Sequence, residues 1–168
     1  MFKITATNNG KATEMVFPCS EIELKARLIF IGAIESYPAQ ITVAKVHSRP
    51  ELEVLEGRIC DPDELNYLAK RLESFTSLEY AQFCEGIKSG GFTEPKDLIN
   101  LSYNLDKYVL IQHIPSYEAI GRSYLLHSQG VLPVGEDESK YERIGRELIA
   151  SGKGVFTDNG LSFVSDKQ

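Results

Sequence analysis

The hexapeptide Tyr-Glu-x-Ile-Gly-Arg occurs twice in this chain, at residues 117–122 and again at 141–146. No other stretch restricts the fold as much. In each copy the offsets 0, 3, 4 and 7 share one face of a helix. That face reads Tyr117, Ile120, Gly121 and Tyr124 in the first copy and Tyr141, Ile144, Gly145 and Leu148 in the second. Glu118 and Arg122, like Glu142 and Arg146, stand four residues apart on the wetter side. That order suits an ion pair on a helix surface. A glycine inside a helix costs about 1 kcal/mol relative to alanine. Placing one in the apolar stripe of both copies predicts two similar helices that lie on a small sheet and pack closely at the glycines.

The rest of the chain supplies local punctuation. Strand-like runs at 2–7 and 12–17 flank Asn8-Asn9-Gly10, a strong hairpin signal. Ser20-Glu21-Ile22-Glu23 is a capping box that opens a helix running toward Gly32. Residues 40–47 alternate and are β-branched, which predicts a strand. Residues 48–58 read as a ragged extra strand or a linker. Asp61-Pro62-Asp63-Glu64 joins an N-cap, a proline at the first helical position and an acidic first turn. The stripe Leu65, Leu68, Leu72 and Phe75 follows. Thr76-Ser77-Leu78-Glu79 is a second capping box, with Gly90-Gly91 ending its helix, and Thr93 opens a third, short helix. Residues 107–114 predict a strand. Residues 152–157 and 161–165 predict a second hairpin around Asp158-Asn159-Gly160.

These elements predict an α+β protein built as three small modules in series and elongated rather than round. The modules are a β-β-α-β unit over 1–57, a short helical unit over 58–105 and a β-α-α-β-hairpin unit over 106–168. The breaks fall near Gly57 and near Asn104-Leu105.

Composition narrows the function. The 168 residues carry a net charge of −6, which argues against binding nucleic acid through a basic face. Residues 58–112 are the most acidic third, with nine acids and six bases. The longest apolar run, 28–34, falls far short of the ~18 residues a membrane span needs. The N-terminus reads as a strand rather than a signal peptide, so a cytoplasmic location is expected. Cys19, Cys60 and Cys84 are widely and irregularly spaced, as are His47, His113 and His127. Neither a disulfide framework nor a metal site is indicated. Gly152-Lys153-Gly154 resembles the start of a phosphate loop, but it lies between a helix and a strand, the wrong order for one. No catalytic residue and no cofactor is expected, although an enzyme whose site converges from distant residues is a third possibility.

The order of elements and four local strings resemble the ArdA antirestriction proteins of conjugative transposons and plasmids. The strings are Asp61 through Leu65, Leu68 and Leu72 to Glu73; Asp97-Leu-Ile-Asn-Leu101; Tyr117-Glu-Ala-Ile-Gly-Arg122; and residues 141–148 followed by the 154–164 hairpin. The resemblance implies a curved, three-domain homodimer that mimics bent duplex DNA and occupies the DNA groove of type I restriction-modification enzymes. Such a mimic works through surface carboxylates standing where phosphates would be. The candidates are Asp61, Asp63, Glu64, Glu73, Glu79, Glu85, Glu94, Asp97, Glu136, Asp137 and Glu138. Mimicry also requires that bases such as Arg58, Lys70, Lys88 and Lys96 be kept off the acidic face. The alternative is a mobile-element accessory protein of the same fold with a different protein partner.

Overall fold

The computed structural model describes residues 1–34, 38–111, 116–132, 135, 137–157 and 160–164. The fold is α+β with two small antiparallel sheets. Contacts divide the chain into two compact units: residues 1–80 with 87–103, and residues 81–86 with 104–168.

In the first unit, β1 (Phe2–Asn8) and β2 (Lys11–Phe17) form the expected hairpin, with Asn8 facing Lys11 and Phe2 facing Phe17. Asn9 and Gly10 have φ of 48° and 79°, the left-handed pair that a two-residue hairpin turn demands. α1 (Glu21–Ile31) opens with both halves of its capping box in place. β3 (Ile41–Val46) lies antiparallel to β1, and the two-residue β4 (Ile59–Cys60) completes the order β2-β1-β3-β4. Alternation buries Phe2, Ile4, Ala6, Met15 and Phe17. It breaks in β3, where Thr5 faces Lys45 but Ala6 faces Val43, leaving Ala44 as an extra residue. This bulge re-aims the strand, so that Ile41, Val43 and Val46 are all buried.

The ragged segment is neither strand nor linker. Pro50–Leu55 is a 3₁₀ helix. Its buried Leu52 and Leu55 are three residues apart, the period of that helix. After it come α2 (Pro62–Glu73), α3 (Ser77–Lys88) and α4 (Pro95–Ser102). Thr76 and Glu79 form the second capping box, with Glu79 N donating to Thr76 Oγ1 at 3.2 Å and Thr76 N to Glu79 Oε2 at 2.7 Å. α4 starts one residue later than Thr93 predicts, with Glu94 as its N-cap.

Gly57 does not divide compact units. Asn66 on α2 holds the backbone of Cys19, accepting from its N–H at 2.8 Å and donating to its carbonyl at 3.1 Å. Arg71 ties α2 to α4 through Ser102 O at 3.0 Å. Its guanidinium also lies 5.0 Å from the Phe75 ring centre and 4.8 Å from that of Tyr103. These bonds join the expected first and second modules into one unit.

The second unit contains β5 (Tyr108–Ile111), α5 (Tyr117–Gln129), α6 (Glu138–Ala150), β6 (Gly154–Thr157) and β7 (Gly160–Val164), with strand order β5-β7-β6. Val109, Ile120, Leu148, Leu161 and Phe163 form its core. Gln82 of α3 donates to Tyr108 O at 2.8 Å. The expected continuation of β5 to 114, the turn residues Asp158 and Asn159, and the strand end at 165 lie outside the described residues.

The repeat explains how α5 meets α6. A Cβ added at Gly121 would stand 1.9 Å from the Tyr141 carbonyl oxygen, and one added at Gly145 would stand 1.9 Å from that of Tyr117. Tyr117 thus faces Gly145 while Gly121 faces Tyr141, an antiparallel crossing in which the two copies swap roles. The arginines follow the same exchange. Arg122 lies 4.8 Å from the centre of the Tyr141 ring, and Arg146 lies 4.5 Å from that of Tyr117. Arg146 also bonds Glu142 at 2.7 Å. Arg122 Nε sits 2.7 Å from Glu118 but outside hydrogen-bonding geometry, so this contact is an ion pair alone.

Candidate partner-binding surface

The start of α2 is built by local chemistry. Asp61 Oδ1 accepts from Asp63 N at 2.8 Å, and Pro62 fills the first helical position, where a missing N–H costs nothing. Glu94 precedes Pro95 at the start of α4 in the same way, although its side chain makes no capping bond. α2 and α4 pack together, and their acidic starts feel one another. Burial pushes the Glu64 carboxyl above its usual value; repulsion from Asp61 and Glu94 adds to this, and Lys96 opposes it. Lys96 Nζ stands 2.5 Å from Glu94 and also senses Asp97 and Glu64. Glu64, Glu94 and Asp97 therefore share the field of one lysine, and Asp61 acts on Glu64. Asp63 is exposed on the first turn of α2.

The remaining candidates do not join this cluster. Glu73 is paired with the Met1 amino group at 3.1 Å. Glu79 is held by Thr76, whose backbone and hydroxyl bonds keep its carboxyl below the usual range. Asp137 caps α6, and its bonds to Ser139 lower its carboxyl likewise. Glu138 lies 3.8 Å from Arg122. Glu136 lies outside the described residues. Glu85 is not a surface carboxylate: it is 5% exposed. Residues 83 and 85–87 are all buried, and Cys84 between them is half-buried.

Other polar groups have structural surroundings. His47 shares a 2.7 Å hydrogen bond with Thr5, and His127 lies edge-on to Phe163. His113 is outside the described residues. None of the three cysteines forms a disulfide. Burial, aided by Glu64 and Glu94, pushes the Cys60 thiol up to about 11, which keeps it protonated and unreactive at neutral pH. Among the described residues no group of three or more His, Cys, Asp or Glu is placed to hold a metal ion, and no helix is long and apolar enough to cross a membrane. Open grooves of about 440 and 460 Å³ flank α1, the first beside β2 at Val16 and Arg27, the second beside α2 at Asp63 and Asn66. A third, of about 270 Å³, lies in the second unit beside Ile144 and Lys153. No protein-family model matches the chain, and no curated protein matches it.

Proposed function

We propose that the chain binds a protein partner as a mimic of duplex DNA, and that this partner is a type I restriction-modification enzyme whose DNA groove it occupies. The observation that carries the reading is the shared acidic start of α2 and α4. There Glu64, Glu94 and Asp97 share the field of a single lysine, with Asp61 acting on Glu64 and Asp63 exposed on the same turn of α2. Duplex DNA presents one negative charge per ~1.7 Å of axis, so a groove built for it rewards closely set acceptor oxygens. Carboxylates at two adjacent helix starts supply such a set. The proposal includes a homodimer and a cytoplasmic site of action. It assigns no catalytic residue, cofactor or metal.

The best probes are cluster acids whose side chains cap nothing. The triple variant Asp63→Asn, Glu94→Gln, Asp97→Asn should bind a purified type I methyltransferase roughly three- to 150-fold more weakly, on exposed charge pairs of about 0.2–1 kcal/mol each. Its melting temperature should be unchanged. Lys96→Gln should tighten binding. Equal affinities for all three proteins would contradict the reading.

A second reading, an accessory protein with a different protein partner, is favoured by local neutralisation. Glu73, Glu94 and Glu138 each stand within 4 Å of a cation, respectively the Met1 amine, Lys96 and Arg122. A surface whose acids are matched in this way presents less unbalanced charge than a DNA groove attracts.

A further inference from the structure

β2 is an edge strand. It ends the order β2-β1-β3-β4, with β1 on one side and no described strand on the other. The direction of its backbone groups follows from the turn. Asn9-Gly10 is a two-residue turn, so Asn8 and Lys11 form a hydrogen-bonded pair, and bonded pairs recur at every second residue of the ladder. Thr13, Met15 and Phe17 therefore turn their N–H and C=O toward β1, while Ala12, Glu14 and Val16 turn theirs outward. Lys3, opposite Val16, agrees with this alternation. Its N–H donates to Ser48 Oγ at 3.0 Å and its C=O accepts from His47 N at 2.8 Å, both on the β3 side. Among the described residues nothing bonds the outward groups of Ala12, Glu14 and Val16.

Open edges invite pairing, and folded proteins usually blunt them. The opposite edge is blunted by length, since β4 has two residues. β2 has seven, in unbroken register with β1 and without a proline. The Glu14 carboxylate is drawn back over the sheet by Lys3 of β1 at 2.8 Å. Beside this edge lies the groove of about 440 Å³, lined by Glu14, Met15 and Val16 of β2 and by Glu23, Ala26 and Arg27 of α1. Ile22 and Phe30, 82% and 64% exposed, stand one turn before and after Ala26 on the same row of α1.

We infer that the β2 edge is a strand-addition site, where an extended peptide segment of a partner protein pairs with Ala12, Glu14 and Val16 and lays alternate apolar side chains against the row of Ile22, Ala26 and Phe30. Unpaired N–H and C=O groups at strand spacing recognise another strand, because only an extended backbone returns donors and acceptors at the same repeat. Charge sets the segment's chemistry. Of the two bases in the groove, Lys3 is committed to Glu14, whereas Arg27 is exposed and forms no ion pair among the described residues. The Glu23 carboxylate beside it is held by Ser20 N at 3.0 Å and Ser20 Oγ at 2.7 Å. The segment therefore carries a carboxylate that meets Arg27. This site goes beyond DNA mimicry and uses none of the acids assigned to that role.

The probe is a fluorescein-labelled peptide, Thr-Val-Thr-Val-Glu-Val-Thr-Val-Thr, titrated with the full chain to about 100 µM and followed by fluorescence anisotropy. Saturable binding is expected. Arg27→Glu should weaken it about three- to tenfold, and a peptide with lysine in place of its glutamate should restore the loss. Val16→Pro removes one outward N–H and leaves the ladder to β1 intact, since proline is tolerated at sheet edges. It should weaken binding about tenfold. Two further peptides test the same bonds without altering the protein, one N-methylated at its valines and one at its threonines. Only alternate amides face β2, so one should bind like the parent and the other should not bind. Absence of saturable binding, equal behaviour of the two methylated peptides, or indifference to both substitutions would overturn the inference. So would a dimer in sedimentation velocity that Val16→Pro converts to monomer, since the edge would then belong to a second copy.

Discussion

Replacing Gly121 by alanine adds a single methyl group at the crossing of α5 and α6, and it should destabilise the protein even though alanine is the better helix former. The new Cβ would stand 1.9 Å from the Tyr141 carbonyl oxygen, against 3.4 Å for ordinary contact, so the helices must part by about 1.5 Å to restore a normal separation. The obstructing atoms are backbone, which a rotamer change cannot move. Overpacking typically costs about 1–3 kcal/mol; a rigid backbone obstacle puts this case near the top of that range. Alanine returns about 1 kcal/mol through helix propensity. The net loss is about 2 kcal/mol, or roughly 4–8 °C in melting temperature for a chain of this size. Gly145→Ala should behave alike, since its Cβ meets the Tyr117 carbonyl oxygen at the same 1.9 Å. Both insertions press on one crossing, so separating the helices for the first relieves part of the second. The double variant should therefore lose less than the sum of the singles, by more than about 0.5 kcal/mol. Thermal and urea unfolding followed by circular dichroism measure all three. Either single variant melting at or above wild type would refute the close-approach argument, and strict additivity would refute the shared crossing.

The exchanged stacking should appear as coupling between Arg122 and Tyr141 of about 0.5–1 kcal/mol in a double-mutant cycle with Arg122→Met and Tyr141→Leu; no coupling would leave only the glycines to explain the repeat. Glu64→Gln should raise the melting temperature at pH 7. Burial and neighbouring acids raise the folded-state value above the ordinary 4.5, so the ionised form is penalised above that range, and the gain should vanish as pH falls below 4.5. Glu79 has the opposite sign. Its folded value is lowered, so its contribution is present above 4.5 and is lost as pH falls further. Accordingly Thr76→Ala, an N-cap loss of about 1 kcal/mol at neutral pH, should cost less in acid; an equal cost at pH 3 and pH 7 would contradict the bond to an ionised Glu79.

What could be read from the chain alone was mostly what is decided within a few residues. Both capping boxes, the Asn9-Gly10 turn and the Asp61-Pro62 helix start are local bargains between side chain and backbone, and each takes the expected form. The 3₁₀ helix at 50–55 was ambiguous, because Leu52 and Leu55 suit its period while Leu52 and Val54 suit a strand. The bulge at Ala44 depends on the register with β1, which no local signal encodes. Glu85 misled because its charge predicts exposure, whereas tertiary packing around α3 decides its burial. Glu64 and Glu94 are neighbours only because α2 and α4 pack together. The glycines of the repeat announced a close approach. The arginines did not announce their stacking, because each copy holds the ring that the other copy's arginine uses.

The proposed function is tested most directly by competition. A labelled duplex bound to a type I methyltransferase should be displaced by the purified chain, and displacement should weaken steeply as salt rises from about 50 to 200 mM, as expected of a ligand held in a phosphate-binding groove. Binding that leaves the duplex in place, displacement indifferent to salt, or no binding at any salt would contradict DNA mimicry.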